Sequence, residues 1–260
     1  MNRICVIIPQ YGKEEYTRKC IELTDENSGV PVDILVVDDG SVDKFHDYRV
    51  NILRLDKNSG FTNAVNQGIL WCGDRYEYIH LLNNDTEPKQ GFIKFLLDEI
   101  EKDEDIAVAS SIRLYIKNGS FDVELYGIDL IRGYQAVTKI ENLKDEVIEC
   151  NWVPLCSSLI RTSIIREIGL LDKQMRNHSS DLDYCLRVKM AYYRIIVVTD
   201  SRVIHHHEVT TKSNNITPNQ DQRALLEKLA GLGYAQIMKV MPLDAESKTF
   251  GKLDFTVYKK

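Results

Sequence analysis

The stretch Leu81-Leu82-Asn83-Asn84-Asp85-Thr86-Glu87-Pro88 decides how this chain is read. Residues 76–82 form a short apolar run rich in Tyr, Ile and Leu, the pattern of a buried strand. The run stops in two amides and a carboxylate. Pro88 follows, and the pattern predicts a helix over residues 88–102 with proline at its first position. Asp85 therefore stands where a central strand ends and a helix begins. In an open α/β sheet that edge is where ligands bind. A carboxylate there can hold a hard divalent cation that also touches phosphate oxygens. The same residues also suit a plain strand-to-helix loop capped by Asp85, and the rest of the chain decides between the two.

Outward from this stretch, strands and helices alternate. The apolar run at residues 4–8 ends in Pro9-Gln10-Tyr11-Gly12, and residues 13–24 read as a helix. A second buried strand, 32–37, ends in Asp38-Asp39-Gly40-Ser41. A third covers 51–55, followed by the turn Asn58-Ser59-Gly60-Phe61, a helix over 62–72 with Asn63, Asn66 and Gly68, and a strand at 106–110 after the expected helix. This alternation predicts βαβ units around a parallel sheet with right-handed crossovers. The loops carrying Tyr11, Asp38-Asp39 and Asp85 then share one sheet edge. Each alone can be structural, since Asp38 and Asp39 also suit a turn before Gly40. Together they point to a nucleotide site.

Beyond residue 112 the pattern weakens, and 112–149 reads as hairpins or loop. A small apolar segment spans 155–160, and 163–168 reads as a short helix stopped by Gly169. Next comes His178-Ser179-Ser180-Asp181-Leu182-Asp183-Tyr184-Cys185-Leu186-Arg187. Leu182, Cys185 and Leu186 suit a helix whose first turn holds Asp181 and Asp183, so capping is the structural alternative for Asp181. Asp183 and Arg187 read as an ordinary helix pair. A strand over 194–198 leads towards His205-His206-His207, which reads as metal ligands or as a solvated loop. Thr217-Pro218 opens a C-terminal helix over 218–241 with a break near Gly231-Leu232-Gly233, and 242–260 carries no motif.

At 260 residues and net charge −6, the chain can bury a large core and has no general basic face for nucleic acid. The six cysteines form no Cys-x-x-Cys pair, which argues against a zinc knuckle or redox motif and fits a reducing compartment. The expectation is a cytoplasmic protein without a leader or membrane span, which leaves docking on the inner membrane face open.

In this order, the motifs at Pro9/Tyr11, Asp38-Asp39-Gly40-Ser41, Asn58-Ser59-Gly60-Phe61 with Asn66 and Gly68, Asn83-Asn84-Asp85, and residues 181–187 resemble family 2 glycosyltransferases of the GT-A fold, with closest likeness to bacterial rhamnosyltransferase-type members. The likeness covers residues 3–210. It implies an α/β, Rossmann-like, mostly parallel sheet with helices on both faces and a C-terminal helical extension. The expected layout is a GT-A domain over 1–212, divided into a nucleotide-binding half (1–110) and an acceptor-binding half (111–212), with 213–260 packing on it. The resemblance also implies inverting transfer of a sugar from a nucleoside-diphosphate donor to a glycan or lipid-linked glycan hydroxyl. Asp181 matches the base, Asp85 and His205 match the Mg²⁺ or Mn²⁺ site, and Pro9, Tyr11, Asp38, Asp39, Gly60, Asn66 and Asn84 match nucleotide-binding positions. Two residues depart from the pattern: Asn83 stands where many relatives have an aspartate, and Ser180 where a glutamate often precedes the base. A catalytically inactive binding module is one alternative. A sugar nucleotidyltransferase is another, although Pro9-Gln10-Tyr11-Gly12 is a poor match to the Gly-rich, basic loop it would need.

Overall fold

The computed structural model describes residues 2–117, 120–129, 134–139, 147–206 and 218–232. The first strands form as the sequence implies. β1 (Ile4–Gln10), β2 (Asp33–Asp38), β3 (Asn51–Arg54) and β4 (Tyr78–Leu82) pair in parallel, in the order β3-β2-β1-β4. Along β1 every residue is buried. Cys5 and Ile7 enter one core with Ala64 and Val65, whereas Ile4, Val6 and Ile8 enter a second with Cys20, Ile21 and Phe92. A strand with both faces covered has no need of polar alternation, which is why these runs read as continuously apolar. α1 (Glu14–Asn27) and α3 (Phe92–Ile100) supply the second core, and α2 (Phe61–Cys72) the first.

The second half is mixed. β6 (Ile106–Lys117) starts an antiparallel meander with β7 (Ser120–Asp129) and β8 (Tyr134–Lys139). β9 (Val147–Cys150) lies antiparallel to β11 (Arg194–His205). β10 (Ser157–Arg161) runs antiparallel between β4 and β6, and β11 runs parallel to β6. One sheet thus joins both halves, in the order β3-β2-β1-β4-β10-β6-β11-β5. α4 (Thr162–Ile168) and α5 (Ser180–Met190) follow β10, and α6 (Pro218–Leu232) buries Leu225 and Leu229 in the first core. The expected continuation of that last helix and the 242–260 tail lie outside the described residues.

Three sequence expectations change. Pro88 does not open a helix: it closes β5 (Thr86–Pro88), an edge strand antiparallel to β11, where its missing N–H is no loss. Gly91, at φ 77°, then turns the chain into α3. β6 and β11 also outrun their apolar runs. Ser110, Ser111 and Arg113 break the pattern in β6, yet they are buried. Ser111 Oγ meets Ser157 Oγ at 2.8 Å and Ser201 Oγ at 2.7 Å, so polar side chains satisfy one another inside the sheet. In β11 the pairing register slips between Val198 and Arg202, and the strand resumes to reach His205.

α2 lies against β1 and β2 because Gly68 has no side chain. A Cβ there would stand 2.7 Å from Ile7 Cγ2 and 3.1 Å from Val37 Cγ2. Gly68→Val should therefore destabilise the fold by about 1–3 kcal/mol or more through overpacking, read as a lower urea midpoint. An unchanged midpoint would mean α2 is free to move off the sheet.

Candidate active site

The end of β4 is held from several sides. Asn83 N–H donates to Cys156 O at 2.9 Å, and Thr86 Oγ1 donates to Asn83 O at 2.7 Å. Because β5 pairs with β11, His205 comes opposite Thr86. Its Nε2 lies 3.2 Å from Asp85 Oδ1 and 3.4 Å from Asn83 Nδ2, and His206 N–H donates to Asp85 O at 3.0 Å. Burial acts to raise the Asp85 pKa. The His205 imidazole, a backbone N–H and the charge of His206 together outweigh it and hold the carboxyl below its ordinary range.

These residues suit a divalent cation. Asn83 Oδ1 is buried without a protein partner among the described residues. It stands on the same side chain as the amide nitrogen that meets His205. A carboxylate, an imidazole and an amide oxygen form a mixed N/O donor set of the kind Mn²⁺ accepts. Among the described residues no group of three His, Cys, Asp or Glu side chains forms a complete protein cage. Such a partial set leaves coordination positions for phosphate oxygens and water.

Asp181 opens onto the same cleft, a space of about 200 Å³ whose walls include Asn83, Arg113, Cys156, His178, Asp181 and His205. It sits in the first turn of α5, after Ser179 at the N-cap. Its Oδ1 accepts the Leu182 N–H at 2.8 Å. Burial pushes its carboxyl above the ordinary carboxylate range; the Leu182 N–H and the nearby Arg113 offset part of this. The capping alternative is incomplete, because the N-cap position belongs to Ser179, whose backbone is left-handed at φ 63°.

The expected nucleotide residues divide. Pro9 is buried in β1 opposite Val37, and Tyr11 follows at the strand's C-terminal end, half-buried. Asp39 and Gly60 meet at the same edge: the Asp39 carboxylate accepts N–H groups from Ser59 at 2.9 Å and Gly60 at 2.8 Å. Asp38 and Asn66 direct their side chains into the protein. Asp38 is fully buried and staples its own loop, accepting from Ser41 N–H at 3.0 Å and Phe45 N–H at 3.2 Å and pairing with Arg54. Asn66 spends its amide on both backbone groups of Leu171, at 2.8 and 3.0 Å. Asn84 is turned to α1, where its amide nitrogen donates to Thr17 at 3.0 Å. Asp183 and Arg187 are the helix pair expected, at 2.9 Å.

Arg113 and His178 were missed. A lone arginine between Ile112 and Leu114 in an apolar run was the available signal for the first; His178, three residues before Asp181, carried none of its own. His207 lies outside the described residues. His206 faces away from the cleft and pairs with Glu87 at 2.9 Å.

The architecture is the GT-A fold. A solved structure of GalNAc-T7 with UDP, GalNAc and Mn²⁺ matches it with a TM-score of 0.64, at 14% identity, over 79% of this chain and 44% of that one. The model of "Glycosyl transferase family 2" matches residues 5–169, and the chain belongs to that family. Its relatives include glycosyltransferase GlyG of Streptococcus pneumoniae, 28% identical over 54% of this chain and 49% of its own. Chondroitin synthase of Escherichia coli is 24% identical over 92% of this chain and 34% of its own. GlyA of Streptococcus pneumoniae is 24% identical over 100% of this chain and 40% of its own. The chain thus spans half or less of the length of these relatives.

The raised Asp181 pKa has a consequence for stability. The folded state holds this proton more tightly than the unfolded chain does, so its contribution is present below about pH 3.8 and is lost as pH rises through the folded-state value. Above that range the half-buried anion costs stability. Asp181→Asn should therefore raise the thermal midpoint at pH 7, with the gain vanishing below pH 3.8. A lower midpoint at pH 7 would show that the ionised carboxylate is stabilised by its surroundings.

Proposed function

We propose that this chain transfers a sugar from a nucleoside-diphosphate sugar to an acceptor hydroxyl, inverting the anomeric centre. The observation that carries the reading is that Asp181 shares one cleft with His205 and Asn83, and His205 in turn touches Asp85. Asp181 is the base. It takes the proton of the acceptor hydroxyl as that oxygen bonds to the anomeric carbon. On the opposite face, the bond from that carbon to the diphosphate oxygen breaks and its electron pair leaves with the diphosphate. Asp85 and His205, with Asn83 beside them, would hold Mg²⁺ or Mn²⁺, which as a Lewis acid neutralises charge on the leaving group. Arg113 adds positive charge to the cleft and favours the ionised form of Asp181. Tyr11 and the Asp39–Gly60 turn, at the ends of β1 and β2, are the natural bed for the nucleoside.

The donor we favour is dTDP-rhamnose or a UDP-hexose, and the acceptor a glycan or lipid-linked glycan in surface polysaccharide synthesis. Family members named chondroitin synthase and teichoic acid poly(glycerol phosphate) polymerase support polymer assembly as the setting. Buried free thiols at Cys5, Cys20, Cys72, Cys150, Cys156 and Cys185 fit a reducing compartment. Among the described residues no helix is long and apolar enough to cross a membrane.

The test is a panel of UDP-, dTDP- and GDP-sugars with and without Mn²⁺, followed by thermal shift and by release of the nucleoside diphosphate. A cognate donor at 100 times its Kd adds ~2.7 kcal/mol of stability. Asp181→Asn should keep that shift and lose turnover by about 10²–10⁴-fold. In the unaltered chain, turnover should rise with pH through an ionisation above the ordinary carboxylate value. Undiminished release in the Asn variant would remove Asp181 from the reaction.

A further inference from the structure

We propose that Asp221, on α6, is the positioning residue for the loop that delivers Asp181, so that the C-terminal helix belongs to the working site. This rests on the reading of Asp181 as the base. The family match ends at residue 169, before both the loop and α6.

Asp221 is almost wholly buried, at 3% exposure. One of its oxygens accepts Arg176 N–H at 2.9 Å; the other accepts Asn177 N–H at 2.7 Å and His178 N–H at 2.7 Å. Three successive backbone donors thus converge on one carboxylate, an anion-binding nest filled from another element. Bonds to an ionised acceptor are the strong kind. An acid in the first turn of α6 already suits the helix dipole, but the dipole alone does not call for this loop.

The next residue, Ser179, is held at φ 63°, a conformation that non-glycine residues adopt only when their surroundings impose it. Asp181 follows two residues later. The far side of the loop is fixed to the start of α2. Thr62 N–H donates to Arg176 O at 3.0 Å, Thr62 Oγ1 to Met175 O at 2.5 Å, and Phe61 N–H to Asn177 Oδ1 at 2.9 Å. The adjoining Gly60 N–H is the one Asp39 holds. A continuous set of bonds therefore runs from the nucleoside edge, through the loop, to Asp221.

α6 has other anchors. Leu225 and Leu229 are buried, and Lys228 pairs with Asp172 at 2.8 Å and Asp183 at 2.6 Å. Removing the Asp221 carboxylate should release the loop and leave the helix docked.

The experiment compares Asp221→Ala, Asp221→Asn and, as a destabilising control in the distant core, Ile100→Ala, all in the full chain. Hydrogen exchange is read at the amides of residues 176–178. Turnover is read as nucleoside-diphosphate release from whichever panel sugar shifts the unaltered protein most. In Asp221→Ala those amides should exchange at least about 10-fold faster while α6 stays protected. Its kcat should fall about 10- to 100-fold, as for a misplaced reacting group, with donor KM little changed. Asp221→Asn, which keeps one acceptor oxygen, should fall between, and Ile100→Ala should keep its kcat below its melting range. Unchanged exchange overturns the clamp. Faster exchange with kcat within twofold overturns the positioning role, and so does an equal kcat loss in Ile100→Ala at an equal drop in melting temperature. No release from any sugar by the unaltered chain sinks the transferase reading, and the base-positioning role with it. The exchange result then separates that failure from a failure of the clamp.

Discussion

The contact between Asp85 and His205 is the constraint on which the rest depends. Asp85 follows β4, in the parallel half of the sheet, and His205 ends β11, in the mixed half. Their approach to 3.2 Å requires β5 to turn back and pair with β11. It also requires β11 to resume after its register slip. Once both conditions hold, His205 and Asn83 line one cleft with Asp181. The interior behind it is polar, and the buried His80 Nδ1 has no partner among the described residues. His80 Nε2 lies 3.3 Å from Ser157 Oγ, and burial lowers the pKa of this histidine to about 3, so it stays neutral beneath the site.

Two carboxylates, Asp181 on the cleft and Asp85 behind its wall residue His205, are driven in opposite directions. Burial works against the charge on both; at Asp85 His205, His206 and a backbone N–H together outweigh it, and at Asp181 it prevails. Environments that push a pair of acids apart give one surface two roles. Here the more acidic group suits binding a cation, and the less acidic one suits accepting a proton. The departures at Asn83 and Ser180 fit this division. Asn83 brings a neutral amide against His205, the partner of Asp85, and Ser180, being buried, adds no second charge next to Asp181.

Much of the fold was legible because the buried parallel strands are continuous apolar runs and their helices have clear stops. β1, β2 and β4 needed nothing beyond that pattern. Their ends placed Asp39 and Asp85 on one edge, and the resemblance pointed to Asp181 and His205. What local reading missed depends on partners far away in the chain. Pro88 carries the signal of a helix start, and only pairing with Val203 makes it part of a strand. The serines of β6 look like a strand's end until Ser157 and Ser201 arrive to pair with them. Asp38 and Asn66 resemble ligand-binding polar residues, but their bonds go to Arg54 and Leu171, a fact no motif contains. Asp221 is the converse: an ordinary acid in a helix's first turn whose partners lie more than 40 residues upstream.

The most direct measurement is the anomalous signal of Mn²⁺ in crystals grown with a nucleoside diphosphate. The account predicts a single strong peak bonded to Asp85 and His205, bridged to the diphosphate and facing Asp181 across the cleft. Manganese bound only elsewhere, or a diphosphate seated away from the ends of β1 and β4, would contradict it.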